Sequence, residues 1–354
     1  MTKPLKVIDL FCGIGGMSHG FYQEGFEIVA GVDVDSSCEY SFEKNNASKF
    51  ICKDISKLTK DELVSLYGDD EHIKVMIGCA PCQPFSSYNN IKIEDRKKWD
   101  LLLVFAEKIK MIRPEIVAME NVPSIKNFKR YPVYQEFLTI LKNLGYSIDD
   151  HVVYCPDYGI PQTRKRLTLV ASRIGDIKLI DKTHTPDNYV AVKDVISHLP
   201  KIEDGEACEH DPLHKARKLS PINKRRIQAT KHDGGGWENW SEELKPDCYK
   251  RESGKSFHNV YGRMKWSKPA PTMTTQCVGL GNGRFGHPEQ DRAISLREAA
   301  IFQTFPDHYE FVDPKLQTYT FQTLARQIGN AVPPKLGRIV AQSVKEHLKL
   351  HGYL

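Results

Sequence analysis

The sequence predicts an α/β chain built on a mostly parallel sheet with covering helices, and a second, smaller and irregular domain inserted before the carboxy-terminal helix. Up to about residue 180, short β-rich runs alternate with helical patterns. From about 186 to 295 the texture becomes turn-rich, basic and aromatic, and helical periodicity returns after it. A length of 354 residues accommodates two domains or one large domain with an insertion.

The elements follow in order. LKVIDL reads as the first strand, followed by a glycine-rich turn and the helix-like GMSHGFYQEGF; EIVAGVDV, KFICKDI and KVMIGCA read as the next strands. LLLVFAEKIKMI, from Leu101 to Ile112, is the clearest crossover helix, stopped by Arg113 and Pro114. The strands EIVAME and RLTLVAS close the series. The irregular segment carries a glycine run at 234 to 236 with Trp237, Trp240 and Trp266. After it, SLREAAIFQTF (295 to 305) and PPKLGRIVAQSVKEHLKL are helical, the latter with apolar Leu336, Ile339, Val340 and Val344. If that last helix packs back on the first domain, the middle one is an insertion. The expected division is 1–188 with 320–354, then 189–295, with 296–319 as a hinge.

Hydrophobic residues at 40% and charged residues at 27% exclude a disordered or collagen-like chain. No apolar run reaches the roughly 18 residues of a membrane helix, and the amino terminus lacks a signal-peptide pattern, so the expected location is cytoplasmic. Nine scattered cysteines read as reduced thiols rather than a disulfide framework. Of the net charge of +5, Lys201 to Lys268 hold +4. Within that stretch Lys215, Arg217, Lys218, Lys224, Arg225, Arg226 and Lys231 fall in an acid-free run, as a phosphate-facing surface requires, although a solvated basic loop reads the same way.

Glycines at the end of a first strand, here Gly13, Gly15 and Gly16 in FCGIGG, let a ligand approach the backbone at a helix start. Tight strand-to-helix turns need glycine anyway, and Ser18 stands where the dinucleotide fingerprint has its last glycine. Asp33 at the second strand end can accept both ribose hydroxyls, and Asp54 at the third lies near an adenine edge. Three such features at consecutive strand ends point to a ligand containing adenosine, without a pyrophosphate cradle.

The fourth run ends in CAPCQPFSS. A cysteine just past a strand, on a loop, is placed as a nucleophile of lowered pKa, and Cys82 between prolines fits better than Cys79. CxxC could also be half of a zinc site or a redox pair, but no second CxxC exists and the chain is far larger than a disulfide oxidoreductase. Glu120 and Asn121 end the next strand; a carboxylate beside a thiol can hold a raised pKa and donate a proton. Arg164 and Arg166 alternate at the start of the last strand and are expected on one side of it.

Collectively these residues resemble the bacterial-type cytosine carbon-5 DNA methyltransferases. The resemblance runs in order through DLFCGIGG (9 to 16), VDVD (32 to 35), KDI (53 to 55), APCQPFS (80 to 86), MENV (119 to 122), QTRKR (162 to 166), LREAA (296 to 300) and QIGNAVPP (327 to 334). It implies a Rossmann-like S-adenosylmethionine-dependent methyltransferase sheet with an inserted target-recognition domain. It implies S-adenosyl-L-methionine as cofactor, leaving as S-adenosyl-L-homocysteine, with Phe11, Gly13, Gly15, Asp33, Val34, Asp54, Ile55, Pro81, Leu101 and Asn330 as contacts. Phe11 and Ile55 would flank the adenine. It further implies Cys82 as nucleophile, Glu120 as the partner of cytosine nitrogen 3, and Arg166, supported by Arg164, at the base oxygen. Two departures stand out: KKWDLLL follows the thiol loop where many members have a small pair such as Arg-Gly, and Val34 occupies the place often held by a stacking Trp.

Cytosine carbon 5 is too poor a nucleophile unless a thiolate first adds at carbon 6, and such a base must be flipped out of the duplex. The basic segment would then hold double-stranded DNA. By residue type, Ser86, Arg225, Arg226, Arg263, Thr272, Thr274, Thr275, Gln276, Asn282 and Arg284 are candidate contacts. The expected enzyme is a monomer, bacterial and nucleoid-associated, and either partners a restriction endonuclease, belongs to another phage-defence system or acts alone. A transfer-RNA methyltransferase, a silent DNA-binding protein and a nicotinamide oxidoreductase are the competing readings.

Overall fold

In the computed structural model, residues 3–81, 101–127, 132–250, 260–315 and 320–354 are described. The alternation predicted from sequence forms β1 (Leu5–Leu10), α1 (Gly16–Gln23), β2 (Glu27–Asp33), α2 (Glu39–Asn46), β3 (Lys49–Cys52), α3 (Lys60–Tyr67), β4 (Ile73–Gly78), α4 (Leu101–Ile112), β5 (Ile116–Asn121), α5 (Val133–Asn143), β6 (Ser147–Tyr154) and β7 (Lys165–Ser172). These strands make one seven-stranded sheet in the order β3-β2-β1-β4-β5-β7-β6. The first five strands pair in parallel, and β7 runs antiparallel to both β5 and β6.

Both faces of the sheet are covered, so the strands read as near-continuous apolar runs rather than half-polar alternation. Val7, Ile28, Val75, Ile77 and Val170 point into the core on the α1 side, whereas Ile8, Leu10, Val32, Met76, Val117 and Met119 point into the core under α3, α4 and α5. β6 escaped the sequence reading because Asp149, Asp150 and His151 break the apolar run, as an edge strand half in solvent permits.

The middle segment holds α6 (Val192–Ile196), the hairpin β8 (Ala207–Cys208) with β9 (Asp211–Lys215), and α7 (Pro221–Gln228); the chain then continues through α8 (Leu296–Phe302), α9 (Phe321–Asn330) and α10 (Pro334–Leu350). Val192, Ile196, Leu213, Met273 and Phe285 share a hydrophobic cluster with α8 to α10, while Trp237, Trp240, Leu244 and Tyr249 form a small cluster of their own. A buried ionic network joins this segment to α8. Arg292 forks onto Glu298 at 2.8 and 2.7 Å, Ser295 caps α8 through the Glu298 amide, and His214 Nδ1 lies 2.9 Å from Ser295 Oγ. Burial opposes ionisation of Glu298, yet the Arg292 fork outweighs it and holds the carboxyl down to about 2.

α10 returns to the first domain and packs on α1, with Leu336, Ile339, Val340 and Val344 buried as expected. Glycine makes the approach possible: a Cβ on Gly20 would fall 2.2 Å from the Arg338 amide nitrogen and 2.4 Å from the Gly337 carbonyl carbon. Among the described residues no helix is long and apolar enough to cross a membrane.

Candidate active site

The strand order reverses between β1 and β4, which both pair with each other but lead their crossovers in opposite directions, and such a switch point opens a crevice at the strand ends. Register lines the ends up: Leu10 pairs with Val32 and with Gly78, Gly78 with Met119, and Asp33 with Cys52. At about 4.8 Å between strands, the glycine turn, Asp33, the Asp54 turn, the start of the thiol loop and Glu120 therefore share one edge. β7, being antiparallel, brings its first residues to that same edge: Glu120 pairs with Thr168, and Arg166 lies two residues beyond.

The turn after β1 is held in backbone geometry that most residues avoid. Phe11 has φ 65, Gly13 φ 50 and Gly15 φ 83. For an aromatic residue this costs about 1–2 kcal/mol, sustained by Phe11 and Cys12 amides that both donate to the Val32 carbonyl, at 2.9 and 3.2 Å. At Gly13 an added Cβ would meet nothing within 4 Å, so the left-handed φ and not crowding demands glycine there, and open space lies above the turn. The Gly13 amide donates to Asp33 Oδ2 at 2.9 Å and the Asp35 amide to Asp33 Oδ1 at 3.0 Å. A carboxylate has about four acceptor positions, so two remain for hydroxyl donors. Beside it Val34 is 68% exposed, a large apolar side chain facing solvent at a cleft, while Ile55 is buried and Phe11 half-buried. Asp54 caps a short turn, accepting at Oδ1 from the Ser56 amide and hydroxyl at 2.9 and 2.8 Å; those bonds hold its carboxyl below the usual carboxylate range. That leaves Oδ2 as an acceptor. Leu101 is half-buried at the start of α4, Pro81 is exposed, and Asn330 is the exposed last residue of α9. Phe11, Val34 and Ile55 offer apolar surface beside the Asp33 and Asp54 carboxylates, whose spare lone pairs suit the polar groups of an adenosine.

Glu120 is buried at the end of β5, and Arg166 Nε lies 2.8 Å from Glu120 Oε1. The N–H does not point along that line, so Oε1 makes no aligned hydrogen bond and stays available as an acceptor. Asn121 fastens the entry to the thiol loop: its Nδ2 donates to the Ala80 carbonyl at 3.1 Å while its Oδ1 accepts from the Val122 amide at 2.8 Å. Cys82 and Ser86 lie outside the described residues.

Arg164 and Arg166, expected on one side of the strand, have different partners among the described residues. Arg164 precedes β7, is buried, and donates to the carbonyls of Met273 at 2.9 Å, Gly329 at 3.5 Å and Ala331 at 3.3 Å. Among the described residues its Nη1 and Nη2 donate to backbone carbonyls, whereas Arg166 lies beside Glu120. Arg263, a candidate DNA contact by residue type, is likewise corrected: it is fully buried and donates to the carbonyls of Ile227, Thr230, His287 and Gln290 and to Asp291. Arg226 is held by the Leu244 carbonyl and by Asn223 and lies over the Trp240 and Tyr261 rings, Arg225 pairs with Glu243, and Arg284 reaches the carbonyls of Gly234 and Gly235. Gln276, Asn282, Lys215, Arg217, Lys218 and Lys231 remain exposed.

Sequence reasoning missed Asp9, whose signal was a carboxylate inside the apolar run LKVIDLF. It is buried under the glycine turn, accepts from Ser18 Oγ at 2.5 Å through Oδ2, and has no partner for Oδ1. Burial, reinforced by the Asp33 charge, pushes its carboxyl up to about 7 against the Ser18 hydrogen bond. Lys108, buried in α4, was missed too; it donates to the carbonyls of Ser56 and Leu58 at 3.3 and 2.9 Å and so fixes the turn that Asp54 caps.

Compared with known proteins, residues 5–346 match the family described as C-5 cytosine-specific DNA methylase. The chain is 53% identical over 343 residues to the Type II methylase M.HgiDII of Herpetosiphon aurantiacus, covering 97% of this chain and 96% of that protein. It is 30% identical to the Type II methyltransferase M1.BsuMI of Bacillus subtilis, covering 96% and 80% respectively. Among solved structures, a protein described as a DNA modification methyltransferase encoded within an E. coli prophage superposes with a TM-score of 0.74 at 23% identity, covering 98% of this chain and 99% of that one. At that identity the likeness concerns the fold.

Proposed function

Because the chain belongs to the C-5 cytosine-specific DNA methylase family, we propose that it methylates carbon 5 of one cytosine within a short duplex sequence, after flipping that base into the crevice at the strand ends. The observation that carries this reading is the Glu120–Arg166 pair at the carboxyl end of β5, one strand from the loop that carries Cys82. S-adenosylmethionine, held by Phe11, Asp33, Val34, Asp54, Ile55, Pro81, Leu101 and Asn330 with the backbone at Gly13 and Gly15, supplies an electrophilic methyl group when bound.

This chain's own residues do the rest. Cys82, as thiolate, adds to carbon 6 of the cytosine and pushes electron density to carbon 5. The ring nitrogen 3 gains charge, and Glu120 meets it with a hydrogen bond or a proton, its Oε1 being buried and unaligned with Arg166. Arg166 orients that carboxylate and offers its remaining N–H groups to the base oxygen. Removal of the carbon 5 proton then lets the thiolate leave. Lys215, Arg217, Lys218 and Lys231, exposed in the acid-free stretch, supply the phosphate contacts, and Gln276 and Asn282, also exposed, are candidates to read base edges. Residues 1–188 with 320–354 form the catalytic part of this scheme, 189–295 the target-recognition part, and 296–319 the hinge. The likeness to Type II relatives supports a role in a restriction-modification system, and in this reading the enzyme acts in the bacterial cytoplasm as a monomer beside a cognate endonuclease.

The test is expression of wild type and Cys82→Ser in a host lacking cytosine methylation, followed by bisulfite mapping of genomic DNA. Wild type should mark one cytosine in a recurring short sequence and the variant none. An unmarked genome with methylated transfer RNA would refute the duplex-DNA reading, and marking by Cys82→Ser would refute the nucleophile.

A further inference from the structure

Arg164 sits where two parts of the molecule meet. Its guanidinium holds the carbonyls of Gly329 and Ala331, the residues on either side of Asn330, and with the same Nη1 the carbonyl of Met273. Gln303 reinforces the first contact, donating to the carbonyls of Ile328 at 2.5 Å and Ala331 at 3.0 Å. Gln162 closes the ring: it donates to Gln303 Oε1 at 2.7 Å and accepts from the Met273 amide at 3.1 Å. All three side chains are buried. The two backbones they join have no slack, because a Cβ on Gly329 would fall 2.0 Å from the Thr274 carbonyl oxygen.

The carbonyls at the end of α9 are those a helix leaves without internal partners, and a cation there is favourable. A planar fork can serve three carbonyls on two segments at once, which an ammonium on a flexible stem cannot. On the Asn330 side lies a residue assigned above to the cofactor; on the Met273 side follow Thr274 and Gln276, both exposed. We propose that Arg164, with Gln303 and Gln162, is a positioning node that couples the cofactor site at Asn330 to the placement of residues 274–276 against DNA. Ordering of the Asn330 turn by one ligand orders the Met273 segment for the other, so each ligand tightens the other by the same factor, in the usual range of about 5- to 150-fold. The inference rests on the methyltransferase reading above, and its test separates the two.

The experiment measures binding of S-adenosylhomocysteine by calorimetry, with and without a duplex carrying the site mapped in the genome, for wild type, Arg164→Lys and Gln303→Met. The duplex should tighten wild-type binding about tenfold or more, and both variants should cut this to about twofold, with Gln303→Met keeping kcat at saturation within about threefold while both KM values rise. Wild type that binds neither ligand refutes the methyltransferase reading itself. If wild type binds both and the variants keep its coupling factor, the node is refuted. A kcat of Arg164→Lys lower by a hundredfold or more at saturation, with affinities unchanged, also refutes it and makes Arg164 catalytic. Should Arg164→Lys not fold, Gln303→Met decides by the same criterion, since it leaves the arginine in place and removes only the second clamp on Ile328 and Ala331.

Discussion

Replacing Asp9 by asparagine probes the buried carboxyl beneath the glycine turn. In the folded protein burial raises this group from 3.8 to about 7, so the native state holds its proton where the unfolded chain has lost it. The sign follows: the stabilisation is complete below the unfolded value and disappears as pH rises through the folded one. Integrating between pH 5 and pH 8 for a carboxyl moved from 3.8 to about 7 gives a loss of about 2.5 kcal/mol from wild type. Asparagine has the shape of the neutral acid, can still accept from Ser18, and does not titrate. Every other ionisable group is common to both proteins, so the difference in stability between them isolates this one. Urea unfolding at pH 5, 6, 7 and 8, without ligands, should therefore show Asp9→Asn gaining on wild type by about 2.5 kcal/mol across that range. A gap constant within about 0.5 kcal/mol from pH 5 to pH 8 would mean that the carboxyl is ionised throughout and that the desolvation argument is wrong.

Two further substitutions test the packing and the ionic network. Gly20→Ala places a methyl 2.2 Å from the Arg338 amide nitrogen, and the resulting separation of α1 from α10 should cost more than the roughly 1 kcal/mol that alanine gains in helix propensity; a Tm equal to or above that of wild type would contradict it. Glu298→Gln leaves Arg292 buried without its countercharge and should lose about 3–5 kcal/mol near neutral pH. Because the Glu298 carboxyl is held down to about 2, its contribution is present above the ordinary carboxylate value and fades as pH falls, so chemical denaturation should find the gap narrowing below about pH 4.

What was legible in the sequence is what depends on near neighbours. Glycine after a strand, and acids ending the runs GVD and KD, mark the strand ends where a parallel sheet gathers its chemistry, and Gly13, Asp33, Asp54 and Glu120 stand along that edge. α4 spans Leu101–Ile112, as its periodicity and the following Arg-Pro foretold. What was hidden depends on distant partners. Two arginines at alternate positions look equivalent, but the carbonyls that bind Arg164 arrive more than a hundred residues later. Arg263 was selected because it is basic and lies in a basic stretch; nothing local to it reveals the five groups that accept its hydrogen bonds. Asp9 was readable only as an oddity, since a carboxylate inside a strand says nothing of whether its proton stays.

The contact between α1 and α10 also sets a timetable. Gly16–Gln23 emerges from the ribosome more than three hundred residues before its close-packed partner Pro334–Leu350. At about 5–20 residues per second, the first helix waits tens of seconds for the surface it is shaped to meet. Until then the turn at Gly13 and Gly15 lacks the helix that backs it from below, and the turn at Asn330 has not been made. A chain interrupted before α10 therefore leaves the close-packed face of α1 at Gly20 uncovered.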